Sequence, residues 1–584
     1  MVPRIALLIL ISFFILQCGS GKEEASGGHG TEGEAGKLAA PVPAASHIAA
    51  IPELAAYKKD LERILTSPLP VLTLPDAELH DEQERLAQEL ALGDSLFLKE
   101  ARKTDTGEAL HNEIMEIRLL QKEETQRLKL NCENGQCYWV ELYNFFYRNT
   151  TAAIVDILEK KVLRVDYLES EQPALNARLK RIAREIALNT PEIKKELGAE
   201  LEQAKVVFKD SKCERSLHLC VAVVFILKDR ALWVIVDLND HFAIGYKWSG
   251  LPDENRPFVM TERSLQNEYI MEHFCGVDQV LTKDEWEINS NLTSSDGLEV
   301  KNARFRGREV LHSAKIVDWH VSYSFKKDFG YSDAMGCPMF SSAANVAFRG
   351  TELEDIVENG AYSGFALIMD FRSPVWPLPC NYRYQNRYEF YKDGRFRICG
   401  VNMGQGCGVT GWYRPVFRID LGQAGAAQAV EQWGGKKWEP QTSEFWHLQS
   451  EQTAYSPEGY LFKISEGDGS GFFLQPGSEA ARPDNAFSYF AVQHPGVDEG
   501  EKDLSTFGPC CNTDYRQGPE QFIEPAEDIS GKHNILWYVP QMANNNEPGS
   551  QYCWTELTLQ EGKQSFSVWP GIVGPMFVPF TNQH

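Results

Sequence analysis

From about Trp286 to the C-terminus, the chain contains no long segment with helical periodicity. Short runs of alternating apolar and polar residues are separated by turns rich in Gly, Pro, Asn and Asp. Alternation with a period of two is typical of strands that bury one face. About 300 residues of this kind predict a large antiparallel β-sandwich, which we place over residues 256–584.

The region before the predicted sandwich has a different pattern. Residues 51–66 and 76–100 have the periodicity of amphipathic helices, with a break at Ser67–Pro75. A further helical stretch covers residues 172–202. These helices indicate that the N-terminal part of the chain is α+β rather than all-β.

A repeat divides this α+β region into two. The segment Ala153–Ile157 recurs as Val234–Leu238, at an offset of 81 residues, and each copy reads as one half of a β-hairpin. A helical stretch precedes each copy. The repeat therefore predicts two small domains, 51–170 and 171–255, each with one helix on an antiparallel sheet.

The N-terminus has the features of an export signal. Arg4 precedes the apolar run Ile5–Leu16, which is too short to span a bilayer and has the length of a signal peptide core. Cys18 follows directly, as in a bacterial lipoprotein signal, so we predict a signal peptide at 1–17 and lipidation of Cys18. The alternative is an ordinary signal peptide with an incidental cysteine. Residues 18–50 are rich in Gly, Ala, Ser, Glu and Pro and predict a flexible linker.

Cysteine usage agrees with export. The chain has 13 cysteines, so that an even number remains once Cys18 is set aside. Disulfides in an oxidising compartment are the expected role of the rest. Three pairs are close enough in sequence to close local loops, and the other six cysteines need long-range partners. The local pairs are Cys132/Cys137, Cys213/Cys220 and Cys399/Cys407, and the remaining cysteines are Cys275, Cys337, Cys380, Cys510, Cys511 and Cys553.

The charge of the chain excludes one class of partner. With 82 acidic and 58 basic residues, the formal charge is -24. Nucleic-acid binding requires basic patches, so no nucleic acid is expected as a partner. A soluble exported protein is compatible with this composition.

One aromatic hairpin carries a recognisable motif. The sequence Asn-Tyr-Arg-Tyr over Asn381–Tyr384 is followed by Tyr388–Gly394, which predicts a strand, an Asp-Gly turn and a return strand. This stretch resembles the cofactor strand of copper amine oxidases, in which an Asn-Tyr-acid-Tyr motif carries the tyrosine that becomes topaquinone. The resemblance implies Tyr382 at the cofactor position, with Asn381 and Tyr384 as its motif neighbours. Arg383 stands where the family has an acid. Alternating aromatics are also ordinary sandwich packing, so an unmodified core tyrosine is the competing interpretation.

The resemblance extends over roughly 450 residues. Further segments look like landmarks of the same catalytic domain and come in the order of that family. The two N-terminal α+β units resemble its small, cystatin-like N-terminal domains. The resemblance implies the family's β-supersandwich and a homodimer. The segments are Asp296–Val300, Gly307–His312, Trp319–Tyr323, Phe417–Leu421 and Ile535–Tyr538.

The residues that the family needs for catalysis are mostly missing. Asp333 falls near the position of the catalytic base, although the surrounding motif differs and a turn residue is the alternative. The resemblance places the three copper-ligand histidines at Gly411, Tyr413 and Asn544, none of which is a histidine. Copper(II) in these enzymes requires neutral imidazole ligands.

Other histidines are the remaining source of a copper site. The chain has 13, none in a His-x-His or His-x-x-x-His pair. His312, His320 and His533 lie near the predicted strands, but a site built from them requires a different geometry. Surface or hydrogen-bonded histidines are the simpler interpretation.

Three functional hypotheses follow. The first is a catalytically degenerate copper-amine-oxidase-like protein, which acts as a binding or structural protein of the bacterial cell envelope and holds no cofactor. The second is an active quinoprotein that oxidises primary amines to aldehyde, peroxide and ammonia, with copper and topaquinone and with relocated ligands. The third is a carbohydrate- or peptide-binding envelope protein. The sequence specifies no ligand for any of them.

Overall fold

The computed structural model describes residues 51–581 with several gaps. The gaps are 131, 133–135, 169–171, 252–258, 324–328, 340–344, 405, 478–483, 505 and 510–512. Within the described ranges there are six α-helices and three short 3-10 helices. The helices are α1 Pro52–Leu65, α2 Glu82–Leu92, α3 Lys122–Arg127, α4 Ala177–Asn189, α5 Pro191–Leu197 and α6 Glu262–His273.

The strands before residue 256 form two separate sheets. The first sheet has the order β1-β2-β3-β4-β5, and the second sheet has the order β6-β7-β8-β9. These strands are β1 Val71–Leu72, β2 Asn112–Leu119, β3 Cys137–Asn144, β4 Asn149–Asp156, β5 Lys161–Leu168, β6 Lys205–Asp210, β7 Cys220–Ile226, β8 Arg230–Asp237 and β9 Phe242–Gly250.

The remaining strands follow one another with short connections, and the described residues after 286 contain no α-helix. They are β10 Gln279–Lys283, β11 Trp286–Leu292, β12 Leu298–Phe305, β13 Arg308–Tyr323, β14 Gly330–Ser332, β15 Met335–Gly336, β16 Asn345–Ala347, β17 Glu352–Glu358, β18 Ala361–Arg372, β19 Arg383–Tyr391, β20 Phe396–Asn402, β21 Gly411–Leu421, β22 Gln428–Trp433, β23 Trp438–Gln441, β24 Phe445–Leu448, β25 Phe462–Glu466, β26 Gly471–Gln475, β27 Phe487–Val492, β28 Asn534–Val539, β29 Met542–Ala543, β30 Trp554–Gln560, β31 Lys563–Trp569, β32 Gly571–Val573 and β33 Met576–Phe580.

Helix α2 is shorter than the helix predicted over 76–100. Asp81 caps its N-terminus by accepting the backbone N–H groups of Gln83 and Glu84, and Gly93 ends it. A 3-10 turn, Asp76–Glu78, precedes the cap. Local capping therefore sets the ends of this helix within a longer amphipathic pattern.

The two N-terminal sheets are covered differently, which corrects the prediction of one helix on each antiparallel sheet. The first sheet packs α2 on one face and includes a parallel pair, β1 with β2. The second sheet packs α4 on one face and α6 on the other. Helix α1, which the sequence assigns to the first domain, buries its apolar side in the core shared by α4 and the second sheet.

Two large sheets form the predicted sandwich. One has the order β10-β11-β12-β13-β21-β28-β27-β24, and the other runs β15-β16-β18-β19-β20-β33-β26-β25-β22-β23, among the described strands. Their inner faces share one apolar core. Trp319 of β13 stacks on Tyr384 of β19 with ring centroids 4.2 Å apart, and Trp286 of β11 lies 4.9 Å from Phe390. The centre of β19 therefore lies between the sheets.

Four disulfides join cysteines of the described residues. Cys132–Cys137 and Cys213–Cys220 are the two local pairs predicted from sequence, and Cys275–Cys337 is a long-range pair. These bonds are compatible with an exported protein.

One disulfide prediction is wrong. Cys407 bonds to Cys380 and not to Cys399, which lies buried inside β20. Strands β19 and β20 form a hairpin, so the residues that precede β19 and follow β20 come together at its open end. Cys553 is buried, and its Sγ lies 3.4 Å from Met542 Sδ. Cys510 and Cys511 lie outside the described residues.

No helix of the described residues is both long enough and apolar enough to cross a membrane. The signal peptide, Cys18 and the linker predicted over 18–50 lie outside the described residues and stay predictions.

Candidate functional site

Strand β19 brings the tyrosines of the Asn-Tyr-Arg-Tyr motif into the sandwich core. Tyr382 is 7% exposed and Tyr384 is fully buried, and their rings stack at 5.9 Å. Tyr323 at the end of β13 and Tyr413 in β21 come from the opposite sheet. These four residues, Tyr323, Tyr382, Tyr384 and Tyr413, are called the tyrosine cluster below.

The hydroxyl of Tyr382 lies in a closed environment. It shares a short hydrogen bond with the hydroxyl of Tyr323 and lies 3.5 Å from Cys407 Sγ. The backbone turns tightly beside it at Gly406, where φ is +59° and a Cβ would collide with Tyr413 Oη and the Tyr382 ring. The disulfide Cys380–Cys407 fixes this turn against the start of β19.

Asp333, the residue assigned to the base position from sequence, lies beside the tyrosine cluster. Its Oδ2 accepts a hydrogen bond from Tyr384 Oη at 2.7 Å. Burial raises the pKa of Asp333 to about 7, against the opposing effect of the Tyr384 hydrogen bond. A carboxyl with such a pKa can accept or donate a proton near neutrality. Its hydrogen bond goes to Tyr384, however, and not to the cofactor position Tyr382.

The three positions implied for copper ligands come together next to Tyr382. Gly411 pairs with Tyr323 across β13 and β21, and Tyr413 pairs with Met542 of β29. The backbone N–H of Gly411 donates to Asn544 Oδ1 at 2.6 Å. The sequence alignment by motif thus selects positions that the fold places side by side.

These residues do not fit copper(II). Gly411 has no side chain, and the amide of Asn544 is occupied by the backbone at Gly411 and Gly408. Burial raises the pKa of Tyr413 well above its usual value, so its phenol stays protonated. Copper(II) prefers neutral imidazole and anionic donors, and a neutral phenol supplies neither.

The three histidines considered as substitutes have other contacts. His320 is fully buried with both ring nitrogens engaged, by Gln517 Oε1 at 3.0 Å and by the carbonyl of Phe507 at 2.8 Å. Its partner Phe507 belongs to the core on the outer side of this sheet. His312 contacts Glu309 at 2.9 Å, and His533 contacts Asp420 at 2.8 Å.

The other two motif residues point away from the tyrosine cluster. Asn381 donates to the carbonyls of Leu378 and Pro379 in its own loop, at 3.1 Å each. Arg383 is bonded to Asp370 at 2.9 Å and lies 4.9 Å from the ring of Trp376. Because side chains alternate along a strand, Arg383 faces the opposite side from Tyr382 and Tyr384.

A second site was missed by sequence reasoning. A cavity of about 530 Å³, called the cleft below, lies where the second sheet and α6 meet the loops of the sandwich. This volume is in the range of small-molecule sites. Charged residues of both signs line it, together with aromatic rings. The charged residues are Arg215, His218, Asp237, Asp240, Glu262, Arg349, Glu352 and Arg372.

Only a weak sequence signal points to the cleft. Its residues come from six helices and strands and from the loops between others, so no local periodicity connects them. The one local clue is the repeat itself: at the offset of 81 residues, Glu159 of the first copy corresponds to Asp240 of the second.

Comparison with known proteins finds no matching protein-family model and no matching curated protein. Solved structures to which the chain is similar include a copper-containing benzylamine oxidase from Hansenula polymorpha, at 11% identity and a TM-score of 0.27, covering 85% of this chain and 96% of that chain. Pichia pastoris lysyl oxidase is similar at 10% identity and a TM-score of 0.31, covering 87% of this chain and 92% of that chain. Aspergillus nidulans amine oxidase is similar at 12% identity and a TM-score of 0.31, covering 87% of this chain and 88% of that chain. At these TM-scores the similarity carries no inference about this chain, and its function has to be inferred from its own side chains.

Proposed function

We propose that this chain is a copper-amine-oxidase-like protein without catalytic activity, which serves as a binding protein of the bacterial cell envelope. One observation carries the loss of catalysis. The three positions implied for copper ligands lie together beside Tyr382, and they hold a glycine, a protonated phenol and an amide that is bonded to the backbone. A single misplaced position would be a matter of alignment, and the proximity of all three positions supports their assignment to one former site.

The surroundings of Tyr382 support the same proposal. Burial and the neighbouring hydroxyl of Tyr323 raise its pKa, so that it stays a neutral phenol. The short hydrogen bond to Tyr323 and the turn at Gly406 close the space around its ring. This packing is that of a structural core tyrosine.

The envelope location is proposed from the sequence. The apolar segment Ile5–Leu16 and Cys18 have the pattern of a lipoprotein signal. In a bacterial host, Cys18→Ser should move the protein from the membrane fraction to the soluble fraction and abolish incorporation of a radiolabelled fatty acid. Unchanged partition and labelling would refute lipidation at this residue.

Catalysis is tested on the full-length chain, expressed with copper supplied and exposed to air. Bound copper per chain and phenylhydrazine-reactive quinone are measured together, with Tyr382→Phe as the control variant. We expect neither copper nor quinone in either protein. Near-stoichiometric copper, together with a quinone adduct that Tyr382→Phe removes, would make this an active amine oxidase with an unusual metal site.

A gain-of-function variant tests whether the site has been located. Gly411→His, Tyr413→His and Asn544→His together restore three imidazoles at the positions that the fold brings together. Copper binding by this variant, and not by the unaltered chain, would support the loss of a former copper site. A variant that remains folded by circular dichroism and still binds no copper would refute the assignment of these positions.

A further inference from the structure

The cleft has an acidic wall at the turn between β8 and β9. Asp237 is buried, and its carboxylate is hydrogen-bonded to His218 Nδ1 at 2.7 Å, so it is not available to a ligand. Asp240 is different: its side chain is 63% exposed, and its carboxylate makes no hydrogen bond to the described residues. It lies 3.8 Å from His218 Nδ1, beyond hydrogen-bond distance. Asp240 therefore presents an exposed carboxylate to the cleft, with His218 beside it at ion-pair distance.

The opposite wall is basic and is built around one ring. Arg215, Arg349 and Arg372 all lie over Phe348, with their guanidinium carbons 5.7, 5.5 and 3.7 Å from its centroid. Cation–π contacts hold guanidinium groups in place without using their N–H donors.

Arg372 and Arg349 have N–H donors without a described hydrogen-bond acceptor, whereas Arg215 is largely engaged. Arg215 is buried and donates to Gln266, Asn267 and the carbonyl of Ala347. Arg372 uses Nε and Nη2 on Asp370, which leaves Nη1 without a described partner.

Arg349 has still fewer contacts. It lies over the Phe348 ring, and its described ion-pair partner is Glu352, at 3.7 Å. Its guanidinium is 48% exposed at the edge of the cleft. The basic wall thus keeps uncommitted N–H donors at two arginines, in the fork geometry that suits a carboxylate.

The charges of the two walls are close enough to interact electrostatically. Burial and Asp237 raise the pKa of Asp240, while His218 and, less strongly, Lys563 and Arg349 oppose that rise. Aromatic rings also line the cleft, among them Phe348 and Trp376, each 5% exposed. The arrangement joins two opposite charges by an aromatic surface, as small-molecule sites commonly do.

Singly charged ligands fit this arrangement poorly. An anion that binds the arginines would lie in the field of Asp240 and Glu352, and an amine that binds Asp240 would meet Arg349. A divalent cation is a third possibility, because atoms of His218, Asp237 and Asp240 lie within 4.8 Å of one another.

Two observations disfavour the cation. Arg148 and Lys563 are close enough to influence the pKa values of His218 and Asp240, and they would repel it. The carboxylate of Asp237 is also occupied by its own turn and by His218.

We propose that the cleft binds a small zwitterion, a molecule of the amino acid or short-peptide class, with its ammonium group on Asp240 and its carboxylate on Arg349 and Arg372. The inference rests on the proposed function, because it supplies the ligand of a binding protein. The two can fail separately. Copper and quinone would refute the loss of catalysis without affecting a titration in the cleft, and a failed titration leaves the copper result unchanged.

The full-length chain is titrated by calorimetry with the standard L-amino acids, with a panel of dipeptides, and with N-acetyl and amide derivatives of each compound. We expect at least one zwitterion to bind, and either derivative to bind at least about tenfold more weakly, as for the loss of one charge-assisted hydrogen bond. Binding confined to free amino acids, or to dipeptides, identifies the source of the zwitterion. Absence of binding, equal binding of a derivative, or tight binding of Zn²⁺ that Asp240→Asn abolishes would overturn the proposal.

Matched variants locate the binding. Asp240→Asn and Arg349→Gln should each weaken the zwitterion at least about tenfold. Their controls are Glu159→Gln, the corresponding acid of the first repeat, and Arg306→Gln, which also stacks on the preceding phenylalanine, at 4.9 Å. Both controls should bind as the unaltered chain does. Equal losses in variants and controls, with all four proteins folded by circular dichroism, would refute the site.

Discussion

In both N-terminal sheets, an aspartate at the end of a strand binds the turn of a β-hairpin, but the residues around that aspartate differ between the two sheets. Asp156 closes β4, and Asp237, 81 residues later, closes β8. Each accepts at Oδ1 the backbone N–H groups of the residues two and three positions later, at 2.7–3.0 Å. A disulfide cysteine lies directly opposite each aspartate, Cys137 in one sheet and Cys220 in the other. The shared parts form a structural device that holds a strand end and its turn together.

The differences lie at the second carboxylate oxygen and in the turn. Asp156 Oδ2 accepts from Gln136 Nε2 at 2.5 Å, whereas Asp237 Oδ2 contacts His218 Nδ1 at 2.7 Å. The amide partner shows that this contact needs no imidazole, so His218 repeats a structural role. The comparison separates what holds the hairpin, which both sheets have, from what faces the cleft, which only the second sheet has.

The largest expected difference concerns the cores of the two sheets. Trp233 of β8 is 1% exposed and packs towards α6, while Trp139 of β3 is half-buried, with Arg118 over its ring at 5.6 Å. Trp233→Ala should lower the free energy of unfolding by about 3–5 kcal/mol, because it opens a cavity in a sheet that is covered on both faces. Trp139→Ala should cost about 1 kcal/mol or less. Urea unfolding of both variants measures the difference, and equal losses would show that the first sheet is as deeply covered as the second.

The disulfides should behave alike in the two sheets. Cys132–Cys137 and Cys213–Cys220 have sequence separations of 5 and 7. Loop entropy gives each a contribution of about 2 kcal/mol, since the cost grows only with the logarithm of loop length. Replacing both cysteines of either pair by alanine should therefore lower the unfolding midpoint by similar amounts, seen by circular dichroism. A much larger fall of the unfolding midpoint for one pair would show that the two disulfides do not stabilise their hairpins equally.

Local patterns in the sequence predicted the parts of the fold that depend on neighbouring residues. Alternation after Trp286 predicted the β-sandwich, and the recurrence of Ala153–Ile157 as Val234–Leu238 predicted two hairpins. Both signals are local because strand faces and turns repeat every few residues. The ends of α2 and the pairing of Cys407 were predicted incorrectly. The first depends on capping at Asp81, and the second on the register of β19 against β20.

The candidate sites were predicted unevenly for the same reason. Tyr382 and Tyr384 belong to one motif and could be read from it. Their contact with Tyr323 depends on how two sheets stack, which sequence spacing does not report. The cleft is the extreme case, because Asp240 and Arg349 are more than one hundred residues apart in sequence and meet only when the second sheet packs near the sandwich.

The exchange of Gln136 for His218 makes the second hairpin sensitive to pH. Burial lowers the pKa of His218, but the carboxylates of Asp237 and Asp240 outweigh burial and Arg148, and the net shift is upward from 6.5. A raised folded-state pKa gives stability that is complete below about pH 6.5 and is lost as the pH rises through the folded-state value. The pKa of Asp237 is lowered, so its contribution is lost only in strong acid. His218→Gln, which copies the first sheet, should flatten the fall in unfolding free energy above about pH 6.5 and cost about 1–3 kcal/mol below it.

Other groups titrate in the same range, so the informative quantity is the difference between the two proteins. Burial raises the pKa values of Asp296, Asp333 and Asp484 to about 7, and their contributions also fall as the pH rises. Melting curves from about pH 5 to about pH 9 should converge for His218→Gln and the unaltered chain at the alkaline end. Parallel curves would mean that His218 does not bind a proton more tightly in the folded protein. Gln136→Glu in the first sheet, which places two carboxylates together, should instead destabilise most at alkaline pH.

The smallest expected effect separates ligand binding from stability. Asp240 and Glu159 occupy corresponding turn positions, with side chains 63% and 58% exposed. Each change to the amide should alter the free energy of unfolding by no more than about 0.5 kcal/mol. At alkaline pH, where His218 is neutral, the signs should be opposite: Asp240→Asn relieves repulsion with Asp237, whereas Glu159→Gln removes the ion pair with Lys161. Chemical denaturation of the two variants measures both. A carboxylate whose removal slightly stabilises the protein is kept at the cleft for something other than folding, and a clear loss of stability in Asp240→Asn would instead assign it to the hairpin that the two sheets share.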